Sequence, residues 1–128
     1  ALPIWSDKKV YRMGDDIKVD IRLKFKNKPS MYGVGLIFYD LKGNVVTILN
    51  TLRDDIFFSE EKESLTLLIR NNHFSPGDYD ITISVSDDNG MFSYDKLESC
   101  LRFNIEMERS SRGLARVDGF LRCEHEWI

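Results

Sequence analysis

The chain has 128 residues, of which 42% are hydrophobic and 30% charged, and its formal net charge is −3. This length suits one compact domain, and the apolar content is sufficient for folding without disulfides or metal. Basic and acidic residues are mixed along the chain, which argues against a nucleic-acid partner, because phosphate binding needs clustered Lys and Arg. No apolar run approaches the roughly 20 residues that cross a bilayer. We therefore expect a soluble single domain over residues 1–128.

Alternating apolar and polar residues predict strands along most of the chain. The predicted strands cover residues 17–26, 32–39, 45–49, 65–69, 79–86 and 101–105. The second and third should form a hairpin, because Gly43 and Asn44 in the gap between them suit a tight turn. The last two should also pair with each other. Residues 54–64 read as a loop or a short helix, and residues 91–99 as a longer connection.

Short strands separated by turns, with no amphipathic run of helical length, predict an all-β fold. We expect an antiparallel β-sandwich of immunoglobulin-like type, with a closed barrel as the alternative. Residues 1–112 would form the sandwich body, and residues 113–128, behind a polar break, a separate C-terminal strand. Such a strand can join its own sandwich or the edge of a neighbour, by strand exchange. Its predicted apolar face carries Leu121, Cys123, His125 and Trp127.

Motifs for catalysis and metal binding are missing from the sequence. There is no phosphate-binding loop, and a partial glycine pattern at Gly33 fails because Phe38 stands where the third glycine belongs. His73 and His125 are too few for a zinc site. Residues 87–90 resemble a calcium loop but lack its alternating ligands, so they predict a hairpin turn. We expect no catalytic residue, no metal and no cofactor; a glycosidase carboxylate pair ranks below a solvated acidic surface.

Two cysteines, Cys100 and Cys123, are compatible with one disulfide bridge. Small secreted domains usually carry a denser set of cysteines, so two reduced thiols are the favoured interpretation. The chain also lacks an N-x-[ST] glycosylation sequon, which favours the cytoplasm. A bridged form remains the alternative.

The strand at residues 32–39 has an unusual outer face. If Val34, Leu36 and Phe38 face the core, the opposite face has no side chain at its two glycines and an apolar or aromatic side chain at its other two positions. Solvent-facing strands usually carry charged residues instead. Sugars suit such a surface, because their C–H faces pack on rings and their hydroxyls need short polar partners. The alternative is that the acidic loop or a partner chain covers Ile37 and Tyr39. We call this face the shelf; it comprises Gly33, Gly35, Ile37 and Tyr39, with Thr82, Ser84, Arg102 and Asn104 predicted beside it as further carbohydrate-binding residues.

Five short motifs occur in a characteristic order, at residues 13–17, 50–51, 75–79, 113–117 and 125–127. They read MGDDI, NT, SPGDY, GLARV and HEW. Together they make the chain resemble the C-terminal domain of Wzt, the nucleotide-binding subunit of ABC transporters that export O-antigen polysaccharide. The resemblance covers nearly the whole length, and the order of the motifs and the closing HEW carry it.

The resemblance implies a domain that binds the exported glycan and forms a homodimer by exchanging its C-terminal strand. The ATPase would lie on a separate N-terminal domain, and the transporter's membrane subunit would hold the protein at the cytoplasmic side of the inner membrane. His125 and Trp127 would bury against a sandwich, their own or the partner's. An extracellular immunoglobulin-like domain for protein interaction or adhesion, with a Cys100–Cys123 bridge, is the alternative function, and an enzyme ranks third.

Overall fold

The computed structural model describes residues 4–23, 31–59, 62–87, 93–109, 112–113 and 125–128. Nine strands and no helix occur within these ranges, so none of the described residues belongs to a helix that could cross a membrane. The strands are β1 (Ile4–Ser6), β2 (Val10–Tyr11), β3 (Ile17–Arg22), β4 (Met31–Asp40), β5 (Val45–Asn50), β6 (Phe58–Ser59), β7 (Ser64–Ile69), β8 (Gly77–Ser86) and β9 (Ser93–Ile105).

The strands form two sheets, which confirms the predicted β-sandwich. The smaller sheet has the order β1-β3-β7, and the larger has the order β2-β9-β8-β4-β5, with β6 paired to one end of β4. Neighbours are antiparallel except for β2, which runs parallel to β9. The segment before β3 therefore contributes one strand to each sheet, since β1 pairs with β3 and β2 with β9.

The core lies between the facing sheets and is built by the alternation read from the sequence. Ile17, Val19 and Ile21 of β3 are at most 1% exposed. At one end of the core, the Phe103 ring lies 5.4 to 6.1 Å from four other aromatic rings. Such pairs stabilise by about 0.5–1.5 kcal/mol each beyond the burial of their area. The four rings belong to Tyr11, Phe38, Phe74 and Tyr79.

The structure confirms both predicted pairings, β4 with β5 and β8 with β9. The expectation of a long connection at residues 91–99 is wrong from Ser93 onward, because β9 already begins there. Its pairing with β8 shifts register near Ser99, whose φ is +46°, and this irregularity hid the strand from a reading of alternation. Residues 54–64 contain no helix in their described part; turns are followed by the two-residue β6.

Of the predicted C-terminal strand region, the structure describes residues 113 and 125–128. Residues 114–124, which include Leu121 and Cys123, lie outside the described residues, as do 24–30 at the end of the first predicted strand and 88–90 in the predicted turn. His125 and Trp127 are exposed, Trp127 by 94%, and their rings meet edge to face with centroids 6.1 Å apart. Burial of these two residues against their own sandwich is therefore wrong for this chain alone, while burial against a partner stays a prediction.

Candidate functional site

The register of the large sheet brings the predicted site residues onto one outer face. β4 lies between β5 and β8, and its residues Val34, Leu36 and Phe38 are buried in the core. The residues between them must face outward, because successive side chains of a strand point to opposite sides. Paired residues of neighbouring strands share a face. The outward pairs across β4 and β8 are Gly33 with Ser86, Gly35 with Ser84, Ile37 with Thr82 and Tyr39 with Asp80.

The glycine end of the shelf is not bare, which corrects the sequence-based expectation. Both glycines are buried. A Cβ atom at Gly33 would lie 2.5 Å from the Cγ and Cδ2 atoms of Leu52, and one at Gly35 would lie 2.9 Å from Nδ2 of Asn50. Any side chain at these positions would displace its cover. The glycines therefore leave room for the chain that follows β5 to fold over the sheet.

That covering segment is held by specific hydrogen bonds. The backbone N–H of Val34 donates to Thr51 Oγ1 at 3.0 Å, and the N–H of Thr51 donates to the Val34 carbonyl oxygen at 2.9 Å. Asn50 Oδ1 accepts from the N–H of Leu52 at 2.8 Å. Asn50 and Leu52 thus shape the shelf, although the alternation within β4 does not indicate them.

The other end of the shelf is open. A groove of about 320 Å³ lies there on the outer face. It contains Tyr39 and Thr82 from the predicted set, and Ile37 and Ser84 lie farther along the same two strands. The rest of the lining comes mainly from the β4–β5 turn and from β9. The groove is lined by Tyr39, Asp40, Leu41, Gly43, Asp80, Thr82, Glu98 and Ser99.

The floor of the groove is fixed where β9 departs from regular pairing. The N–H of Ser99 donates to Oγ1 of Thr82 at 3.2 Å, and Thr82 is only 3% exposed. The irregularity brings Glu98 and Ser99 to the groove. On its inner side, the Cys100 thiol donates to the Ile81 carbonyl oxygen at 3.3 Å, and burial raises its pKa. Cys100 forms no disulfide within the described residues, and Cys123 lies outside them, so the expectation of two reduced thiols stays a prediction.

The turn between β4 and β5 forms one wall of the groove. Oδ1 of Asp40 accepts from the backbone N–H groups of Lys42 and Asn44, each at 2.9 Å, and Oδ2 accepts from Nδ2 of Asn44 at 3.1 Å. These bonds, those from Asn44 foremost, lower the pKa of Asp40. Gly43 has a φ of +82°, a conformation that the turn requires and that glycine adopts without strain. The wall is therefore tightly organised.

The predicted polar residues of β9 are engaged with β8. Arg102 Nε donates to Asp80 Oδ1 at 2.7 Å and its Nη2 to Oδ2 at 3.4 Å, and this carboxylate raises the pKa of Arg102. Asn104 Nδ2 donates to Asp78 Oδ1 at 2.9 Å. Neither residue lines the groove, but Asp80, the partner of Arg102, does. Among the described residues, no group of three or more His, Cys, Asp or Glu is placed to hold a metal ion.

A second opening lies at the side of the sandwich, between β5 and the end of β7. It has a volume of about 600 Å³ and is lined by half-buried apolar side chains together with polar loop residues. β5 ends the order of the large sheet and β7 ends that of the small sheet, so both are edge strands within the described residues. We call this opening the lateral cleft; its apolar lining includes Val46, Leu49, Ile69 and Phe74.

Comparison with known proteins places the chain in a family. The family model of the Wzt C-terminal domain matches residues 6–117. A solved structure described as the "Crystal structure of the C-terminal domain of wzt" superposes with a TM-score of 0.74 at 12% sequence identity, covering 99% of this chain and 80% of that one. No curated protein matches the chain. At 12% identity the structural likeness shows the fold alone, whereas the family match spans most of the sequence: the chain belongs to the Wzt C-terminal domain family.

Proposed function

We propose that this domain is a non-catalytic carbohydrate-binding module that recognises O-antigen polysaccharide for export by an ABC transporter. Membership of the Wzt C-terminal domain family supports the transporter context and favours it over an extracellular adhesion domain. In this proposal, ATP hydrolysis belongs to a separate N-terminal domain. The module acts in the cytoplasm, held at the inner membrane through the transporter's membrane subunit.

The observation that carries the proposal is the groove beside Tyr39. The side chain of Tyr39 is half-buried on an outer sheet face, and its hydroxyl forms no hydrogen bond within the described part of the chain. An aromatic ring next to an open groove offers an apolar surface to the C–H face of a sugar ring. Its hydroxyl adds a polar partner at the edge. A ring surface with a hydroxyl at its edge can contact both the C–H face and the hydroxyl groups of a pyranose, which a flat polar sheet face cannot.

The surroundings of Tyr39 supply the polar contacts that a sugar needs. Glu98 and Ser99 line the same groove, and Thr82 forms part of it next to them. The hydrogen bond from Ser99 to Thr82 and the organised Asp40 turn fix the groove before any ligand arrives. A rigid, preformed site avoids the ordering cost that a mobile surface would have on binding.

Several of the predicted residues have a different part in this proposal. Gly33 and Gly35 do not contact the glycan; they admit Leu52 and Asn50, which cover that end of the shelf. Tyr39 and Thr82 form the centre of the site, and Ile37 and Ser84 extend it along β4 and β8. Arg102 and Asn104 form its rim.

The same proposal includes a homodimer formed by exchange of residues 113–128. Within the described residues β5 and β7 are edge strands, and an edge strand presents backbone groups with which another strand can pair. The apolar lining of the lateral cleft and the 94% exposure of Trp127 also favour a partner. Leu121, Cys123, His125 and Trp127 would face the second protomer. Two modules in one particle would raise the avidity for a repeating polysaccharide.

The test is calorimetric titration of the purified domain with the O-antigen polysaccharide of its own host. Tyr39→Ala should weaken binding at least about tenfold, since such a loss corresponds to about 1.4 kcal/mol of stacking and hydrogen bonding. Arg102→Ala should weaken it less. Leu68→Ala is the control, because Leu68 is 42% exposed on β7 of the opposite sheet. A domain that binds no O-antigen refutes the function; a folded Tyr39→Ala variant with unchanged affinity refutes the site.

A further inference from the structure

We infer that the groove selects uncharged, hydroxyl-rich sugar units and rejects units that carry carboxylate, sulfate or phosphate groups. This inference rests on the proposed function and narrows the class of glycan. It concerns the sugars that enter the groove between the β4–β5 turn and β9, not the remainder of the polysaccharide.

The first observation is the charge of the lining. Among the residues that line the groove, three are carboxylates and none is basic; the carboxylates belong to Asp40, Asp80 and Glu98. Hydrogen bonds lower the pKa of Asp40, so that this carboxyl is ionised at neutral pH. Two like charges at close range repel, and the repulsion grows where water is partly excluded. An anionic sugar would meet this repulsion on entry.

The second observation is that the described cations near the groove lie close to its carboxylates. The charge of Lys42 helps to lower the pKa of Asp40. Arg102 donates two hydrogen bonds to Asp80, whose side chain is 20% exposed, in a charge-assisted, bidentate arrangement. Lys96 Nζ lies 3.6 Å from Glu98 Oε1. An anionic ligand could recruit Arg102 only by competing with Asp80, and breaking the pair would leave that carboxylate uncompensated beside the ligand. No basic side chain lines the groove itself.

The third observation concerns hydrogen-bond direction. An ionised carboxylate only accepts hydrogen bonds, and its two oxygens together offer about four acceptor positions. Arg102 and the Asp40 turn occupy some of these positions on Asp80 and Asp40, while the Glu98 side chain is 75% exposed. Sugar hydroxyls are donors that can fill the remaining positions with charge-assisted bonds. Ionised carboxylate, sulfate and phosphodiester groups only accept hydrogen bonds, so they cannot donate to these positions.

A matched pair of ligands tests the inference. The O-antigen polysaccharide and the same polysaccharide with its primary hydroxyls oxidised to carboxylates are titrated into the intact domain. We expect the oxidised form to bind at least about tenfold more weakly at low salt, with a smaller difference at high salt because ions screen the repulsion. Equal or tighter binding of the oxidised form would overturn the inference and leave the proposed function intact. Failure of both forms to bind would overturn both.

Two variants separate charge repulsion from the mere loss of hydroxyls. Glu98→Gln removes one negative charge from the groove, and Glu98→Lys replaces it with a positive one; neither should disturb folding, since the Glu98 side chain is 75% exposed. Both variants should reduce the difference in affinity between the two polysaccharides, and Glu98→Lys should reduce it more than Glu98→Gln. Leu68→Lys, on the opposite sheet, changes the net charge as much as Glu98→Gln and should leave the difference unchanged. An unchanged difference in both Glu98 variants would overturn the inference.

Discussion

The side chain of Leu52 lies directly over Gly33, so close that a Cβ atom on the glycine would come within 2.5 Å of the leucine Cγ and Cδ2 atoms. This contact joins the segment after β5 to the outer face of β4. It closes one end of the shelf, whereas the groove lies at the Tyr39 end.

Gly33→Ala should destabilise the domain by about 1–3 kcal/mol, because the added methyl group overpacks the space that Leu52 fills. Urea denaturation followed by tryptophan fluorescence measures the free energy of unfolding. In a Leu52→Ala background the same glycine substitution should cost clearly less, since the clashing atoms are gone. An equal cost in both backgrounds would show that Leu52 does not cover Gly33.

Asn72→Ala should be among the most destabilising polar substitutions, at about 2–4 kcal/mol. Asn72 is 1% exposed; its Nδ2 donates to the carbonyl oxygens of Arg12 and Asp15 at 2.9 and 2.8 Å, and its Oδ1 accepts from the N–H of Phe74 at 3.2 Å. Alanine would leave these backbone groups without their partner. The exposed neighbour His73 serves as the control, and His73→Ala should stay within about 0.5 kcal/mol of the parent. Similar losses in both variants would contradict this account.

Alkaline pH should weaken the fold through Tyr32. Burial, and then the charge of Glu63, raise the pKa of Tyr32 to about 12 from its ordinary 10.0. The protonated phenol also donates to the Lys62 carbonyl oxygen. Because the folded pKa is the higher one, the neutral phenol's contribution is fully present below pH 10 and is lost as the pH rises towards about 12.

Denaturant unfolding of the parent and of Tyr32→Phe across this pH range measures the effect. The variant should lose less stability between pH 10 and about 12, because it has no phenol to ionise at this position. Some slope should remain, since burial also raises the pKa of Tyr11 and Tyr79. Identical slopes for parent and variant would rule out Tyr32 as a source of the alkaline loss.

Removal of residues 120–128 should either abolish the homodimer or expose a sheet edge that aggregates. Light scattering coupled to size-exclusion chromatography gives the mass of each form. A milder change, Trp127→Ala, should weaken the dimer without removing a strand, because Trp127 has little to contact within its own chain at 94% exposure. A truncated protein with unchanged mass and unchanged stability would refute strand exchange.

Alternation predicted the strands that build the core, because β3, β4 and β8 carry apolar residues at every second position over six or more residues. β1 and β2 escaped this reading, since three and two residues are too short to show a period. The beginning of β9 escaped it because the irregularity at Ser99 interrupts the pairing.

The candidate site was predictable only in part, for a related reason. Alternation places Tyr39 and Thr82 on one outer face, but it cannot show what lies above that face. Leu52 reaches Gly33 through a turn, and Glu98 and Ser99 reach the groove through irregular pairing. Contacts made by turns and bulges depend on backbone geometry that a period of two does not encode.

The N-terminal segment also determines which side of the sandwich can open locally. β1 is hydrogen-bonded to one sheet and β2 to the other. The backbone N–H of Asp7 donates to the Lys18 carbonyl oxygen, and that of Asn104 donates to the Lys9 carbonyl oxygen. Hydrogen bonds from the N-terminal segment therefore link the two sheets along one flank, whereas the lateral cleft separates them along the opposite flank. Amide protons of β5 and β7 should therefore exchange with deuterium through small openings well before those of β3 and β8, whose release demands separation of the whole sandwich.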